Sequence, residues 1–353
     1  MTLTRLHWSA LVVASAFSAG IAILALGLWA SGYDAPQAMT ALWNGAFGSW
    51  YAFTSATLLR AVPLIIIGLG FALALQGGAL NIGAEGQFYA GAIAATWVGL
   101  QVGHWPLIPA IVTIVSVATI AGALWMVVPV WLKLRFGVIE VISTLLLNFV
   151  AEALVSLMVQ GPLQESTGVF PQSNLIPLSA RLPILPGTRL HLGFLFALAL
   201  SVVVWYVVTR TVWGFRLRAV GASPRAAEVS GRIKSGRILG TALLWSGALA
   251  GLAGGLEVSG VSYALYQNLS PGYGFTAIAV ALLARLRPIG IVFTGILFGA
   301  LEAGAGAMQR DAGIPSVAVY VVEAVVILVI VLADSRLRHL GRSTVSRPSP
   351  AAA

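Results

Sequence analysis

The chain has 353 residues, 59% of them hydrophobic and 9% charged; a soluble domain carries about a quarter charged residues, so water is not the solvent for most of this surface. There is no cysteine, which excludes disulfides, thiolate metal sites and a cysteine nucleophile. The net charge of +9 sits in short loops between apolar runs, as in the cytoplasmic loops of a membrane protein, and no soluble domain presents a basic surface to nucleic acid.

A helix needs about 20 apolar residues to cross a bilayer, and about ten such runs can be marked. The first, Ser9 to about Ala30, exceeds the apolar stretch of about 7–15 residues in a signal peptide, and is expected to be a retained helix with the N-terminus inside. Tyr33, Trp43, Trp50 and Tyr51 follow as an interfacial stretch. Spans are expected near 57–75, 88–102 and 106–130, before Lys133 and Arg135 mark a return to the cytoplasm. A fifth, near 138–159, leads to a long polar, proline-containing loop, 161–190, expected outside. The sixth, near 192–208, returns to the most basic loop of the chain, 210–237. Spans near 238–261, 275–284, 289–308 and 317–332 complete the set. The expected organisation is one all-α transmembrane domain over 1–335 and a cytoplasmic, disordered tail over 336–353. With both termini inside, every basic cluster falls on one side; Arg60, Arg181, Arg189 and Arg310 depart, and Arg60 lies near enough to a span end to snorkel.

Three features could carry chemistry. Between spans two and three, the run 77–87 holds Gly77, Gly78, Gly83 and Gly86 with Asn81, Glu85 and Gln87. Each glycine disfavours a continuous helix by about 1 kcal/mol. Polar breaks at membrane depth survive where they line a cavity or are buried in protein; a tight cytoplasmic turn with polar tips is the plainer alternative. On span five, Glu140, Thr144, Asn148 and Glu152 recur every fourth residue and fall along one ridge. Such residues usually face a bundle interior or a water-filled path, so a pore or subunit-interface role stands beside interhelical packing. Single deep carboxylates at Glu257, Glu302 and Glu323 fit structural bridges, and proton coupling through them keeps a secondary transporter as a rival. The four histidines, His7, His104, His191 and His339, show no ligand spacing, so no metal site is expected.

Small residues at Gly247, Gly251, Gly255 and Ser259, and at Gly295, Gly299, Ala303 and Ala307, make two ridges for close helix packing. In the basic loop, Ser223 is placed to cap a short helix with Pro224 at its first position. Such a helix suits docking to a soluble partner, and attachment to anionic lipid is the alternative.

Taken together, the motifs carry a family resemblance. Gly68-Leu69-Gly70-Phe71-Ala72-Leu73-Ala74 with Asn81-Ile82-Gly83-Ala84-Glu85-Gly86-Gln87-Phe88 resembles the early signature of the sugar and nucleoside ABC importer permeases. Arg218 to Ala227 resembles their coupling-helix loop, and Gly272 to Ala284 with Pro288-Ile289-Gly290 their late signature. Glu140-Val141-Ile142-Ser143-Thr144-Leu145 extends the likeness, which spans residues 58 to 335 and is nearest to the nucleoside branch. The resemblance implies a ten-helix permease of the vitamin B12 importer type (type II), working by alternating access in a bacterial cytoplasmic membrane. Gly221, Ala222, Ser223, Pro224, Arg225, Ala226, Ala227 and Glu228 would seat on a separate ABC ATPase, which would hold the ATP and Mg. Asn81, Glu85, Gln87, Thr144, Asn148 and Glu152 are the expected path residues. A second, related permease and a substrate-binding lipoprotein are the implied partners, with nucleosides as the solute and simple sugars as the alternative. The chain itself is expected to bind no cofactor and to be no enzyme: its two lysines, Lys133 and Lys234, do not follow glycine and no GxxxxGK[ST] is present. Ser230-Gly231-Arg232 and Ala284-Arg285 depart from the family's usual Ala-Gly-Ile and Gly-Arg.

Overall fold

The computed structural model describes residues 18, 20–229, 233–315 and 320. The span expected at 317–332, apart from Tyr320, and the tail lie outside these residues, as does most of the first half of the span expected from Ser9. Twelve helices are described: α1 (Gly20–Ala30), α2 (Ala35–Phe47), α3 (Trp50–Gln76), α4 (Ala84–Gln101), α5 (Leu107–Phe136) and α6 (Glu140–Val159). They continue with α7 (Gly193–Arg210), α8 (Val212–Ala222), α9 (Pro224–Val229), α10 (Ser235–Ser262), α11 (Tyr273–Leu283) and α12 (Pro288–Ala312). Among the described residues, pairing of the β type is confined to two isolated bridges, Gln172 with Tyr266 and Ile184 with His191. Among the described residues six helices, α3, α5, α6, α7, α10 and α12, are long and apolar enough to cross a membrane.

The chain divides into two compact units. In the first, α2 packs on the C-terminal part of α12 through small residues. A Cβ on Gly45 would lie 2.3 Å from that of Ala307, and one on Gly304 would lie 2.7 Å from the Leu42 carbonyl oxygen. The aromatic stretch expected at the interface is therefore partly helical: α2 exposes Trp43 and buries Ala38, Ala41, Leu42 and Ala46.

The second unit, residues 47–300, is built around α3 and α10. The window of α3 that fits a membrane span is 89% buried, because Leu64, Ile65, Ile66, Ile67 and Leu69 are apolar on every face. Helix α10 packs on α3, α4 and α5, and its small-residue ridge is what lets it approach. A Cβ on Gly251 would fall 2.4 Å from the Ala118 carbonyl oxygen and 2.7 Å from the Gly122 Cα. With no hydrophobic drive between helices in lipid, such backbone approach supplies the dispersion contact that holds them. Helices α5 and α6 are mostly outward-facing, presenting Ile120, Leu124, Leu146 and Phe149. Both α3 and α10 contain a π-helical turn, at Phe53–Leu58 and Val258–Ser262.

The long loop at 161–190 is ordered by backbone bonds to the last turn of α10 and the segment that follows it. Ser173 N–H donates to the Leu265 carbonyl at 2.8 Å, Ile176 N–H to Tyr263 at 2.8 Å, and Leu182 N–H to Ser259 at 2.8 Å. The Arg181 guanidinium stacks 4.4 Å from the Tyr263 ring centroid, and Ile176 is fully buried.

Candidate translocation and coupling sites

Helix α3 ends in a Schellman turn. Ala79 N–H bonds the Ala74 carbonyl and Gly78 N–H the Leu75 carbonyl, both at 3.0 Å, with Gly78 at φ +88, where glycine carries no Cβ penalty. Ala74 and Ala79 then pack together with Met126, Val130 and Leu243. The polar residues of the break close on one another. The Asn81 and Gln87 amides bond reciprocally, at 2.7 and 3.1 Å. Asn81 also donates to Ser246 Oγ at 2.9 Å and accepts from Gly83 N–H at 3.0 Å. Both side chains are buried, so their bonds replace those water would have made.

The ridge on α6 divides in two. Glu140, Thr144 and Asn148 are buried against the break, whereas Glu152 is exposed. Each step of four residues advances about 40° around a helix, so the third step turns the side chain about 120° from the first. Glu140 accepts from Leu80 N–H at 3.2 Å and forms an ion pair with Lys133, which closes the α5–α6 turn. Asn148 accepts from Gly86 N–H at 2.8 Å and donates to the Ile82 carbonyl at 2.9 Å. It thereby satisfies both a donor at the start of α4 and an acceptor in the break. Thr144 packs on Gly83, where a Cβ would come within 2.7 Å of it.

Glu85 has a different task. Its Oε2 accepts from Gly274 N–H at 2.7 Å, and Ser270 Oγ accepts from Tyr273 N–H at 2.9 Å. Together they cap the N-terminus of α11, where a carboxylate is favoured by the helix dipole. Glu152 is separate from all of these: with Tyr89, Val155, Ser156, Gln267 and Asn268 it lines a pocket of about 170 Å³. Five of the six expected path residues are thus enclosed with partners, and one faces a cavity. Reading by period missed Ser246, Gly274, Ser270, Tyr89, Gln267 and Asn268. The pairing of Lys133 with Glu140, seven residues apart, was missed as well, although each residue was singled out on its own.

The basic loop folds as two helices. Thr211 Oγ1 caps α8, accepting from Gly214 N–H at 3.1 Å, and Ser223 Oγ accepts from Ala226 N–H at 3.3 Å at the start of α9. Gly221, Ala222, Pro224, Arg225, Ala226 and Glu228 are exposed, while Ala227 is buried and Ser223 intermediate. The Glu228 carboxylate accepts from the Ser235 hydroxyl, tying α9 to the start of α10. Above the loop, a Cβ on Gly221 would fall 2.0 Å from the Gln76 carbonyl oxygen, and one on Gly77 2.8 Å from Leu217 Cδ1. The α8–α9 corner therefore rests directly on the turn that begins the break.

The described residues thus form a multi-helix domain with six helices apolar enough to cross a membrane and an exposed corner seated on a broken helix pair. The chain belongs to the family described as the branched-chain amino acid transport system permease component, whose model matches residues 53–333. It is 38% identical to the guanosine ABC transporter permease protein NupP of Bacillus subtilis, over 88% of this chain and 89% of that one. It is 36% identical to the glucose ABC transporter permease protein TsgB13 of Haloferax volcanii, over 93% and 87%. To the nucleoside ABC transporter permease protein NupB of Lactococcus lactis it is 33% identical, over 88% and 87%. A second guanosine permease of B. subtilis, NupQ, is a more distant match. No solved structure matches the chain significantly.

Proposed function

We propose that this permease carries nucleosides inward as one half of a membrane pathway driven by a separate ABC ATPase, which holds the ATP and Mg. The observation that carries the reading is the α8–α9 corner: α9 is an exposed helix capped by Ser223, and Gly221 at the end of α8 bears on the Gln76 carbonyl. A push from a docked subunit is delivered there to the turn at 77–79, and through Asn81, Gln87, Thr144 and Asn148 to the junction of α4 and α6. In this reading those residues, with Glu85, form the seam along which the path opens, and Glu152 meets its aqueous side. Ten spans in the type II arrangement, both termini in the cytoplasm of a bacterium, a second related permease and an external binding lipoprotein complete the proposal. Similarity to both NupP and NupQ, two guanosine permeases of one organism, supports a pathway made of two different chains. The glucose permease at 36% identity supports simple sugars as the second reading.

The test is uptake into vesicles holding the chain with its partner permease and ATPase. Guanosine accumulation that needs ATP and persists after collapse of the proton gradient is expected. Accumulation of glucose alone would move the assignment to sugars. Uptake that ignores ATP and vanishes with the proton gradient would overturn the importer reading in favour of a secondary transporter.

A further inference from the structure

The pocket beside Glu152 has a chemistry of its own. Glu152 is exposed on α6, one turn beyond the buried Asn148, where a bare carboxylate against lipid would be expensive. Its neighbours are hydrogen-bonding groups: Tyr89 from α4, Ser156 from the next turn of α6, and Gln267 and Asn268 from the segment before α11. Ser156 Oγ already accepts from Gln160 at 2.7 Å and from Gln267 at 2.6 Å, which holds Gln267 at the rim. Tyr89 Oη accepts from Ser270 N–H at 3.4 Å, leaving its own proton to donate. Neither Glu152 nor Asn268 makes a side-chain hydrogen bond to any described residue. Asn268 adopts φ +58, a conformation an asparagine tolerates better than most residues, and this places it on the pocket wall.

A carboxylate with two free oxygens accepts from two adjacent hydroxyls at once, and a carboxamide and a phenol supply donors for the ligand's own oxygens. We propose that this pocket is a solute subsite that holds a vicinal diol through Glu152, with Asn268 and Tyr89 as the flanking donors. The diol comes from the ribose of a nucleoside or from a free sugar, two sources with the same recognising chemistry. The inference rests on the importer reading for its place on the route, but its test needs no ATPase.

Because the chain has no cysteine, Ser156→Cys supplies a single thiol with close to the native shape, and Gln267→Cys a second reporter should the first fold poorly. The full chain in lipid nanodiscs is labelled with a water-soluble thiosulfonate, with or without guanosine, D-ribose, D-glucose or 2′,3′-dideoxyguanosine. Labelling in the absence of ligand, slowed by a diol-bearing probe and not by the dideoxynucleoside, is the expected result. Glu152→Gln in the same background should weaken that protection about tenfold or more, as loss of a charged acceptor does. Protection by guanosine alone assigns the subsite to nucleosides, and protection by either free sugar shows that the ring suffices. A thiol that fails to label in both reporters, equal labelling with every probe, or protection by the dideoxynucleoside overturns the proposal. A chain that passes this test yet shows no ATP-dependent uptake keeps the subsite and loses the importer.

Discussion

Asn148 joins two backbone groups that no helix can satisfy, the Gly86 N–H and the Ile82 carbonyl. Asn148→Leu keeps the side-chain size and removes both bonds, leaving a buried donor and acceptor unmet at a cost of about 1–3 kcal/mol. The expected outcome is a clearly lowered midpoint in a thermal melt of the detergent-solubilised chain; an unchanged midpoint would show that the break does not depend on this residue. The fourfold spacing of polar residues on α6 was legible from the sequence. Which of them meet water was not, since the ridge's drift decides that only against neighbours on α4. Likewise Asn81 and Gln87 could be singled out, but their mutual pairing and Ser246, 165 positions away, could not.

At the scale of elements, the capping signals of the basic loop translated directly into structure: Ser223 caps α9 and Pro224 opens it. These are local effects, so local sequence is enough to see them. Contact between Gly221 and the Gln76 carbonyl joins segments far apart in the chain, and no spacing announces it. Ala226 lies exposed in the first turn of α9, where a carboxylate favours the helix. Ala226→Asp therefore leaves the element folded while changing the charge and shape of its outer face. If α9 is the docking surface, uptake should fall about tenfold or more, equivalent to about 1.4 kcal/mol of lost docking, while the chain is inserted normally. Uptake at the native rate would remove α9 from the coupling route. Helix α2 shows the same limit: Trp43 could be singled out from the sequence, but the packing of α2 on α12 depends on Gly45 meeting Ala307.

For the molecule as a whole, composition identified a membrane as the solvent, and the long apolar runs located most helix ends to within a few residues, although α3 begins at Trp50 rather than near 57 and α5 runs on to Phe136 rather than 130. Their assembly is set by small residues at crossings. Gly251→Val would drive a branched side chain into the Ala118 carbonyl and the Gly122 backbone, an overpacking worth about 1–3 kcal/mol or more. Loss of a monodisperse peak on size-exclusion chromatography is expected, together with a lower melting midpoint. Gly27→Val, where a Cβ would meet nothing within 4 Å, should leave both unchanged, and equal damage from the two would refute close packing as the cause.

The loop at 161–190 is fastened chiefly through main-chain donors at Ser173, Ile176 and Leu182. Those bonds are indifferent to the identity of the side chains that point away from them, such as Val169, Phe170, Leu175 and Leu178, all exposed. The exposed side of the loop can therefore accumulate substitutions over generations without shifting the backbone that carries Tyr263 to Gln267. Descendants of one ancestor are free to diverge in the side chains this loop exposes while inheriting the same backbone course beneath them.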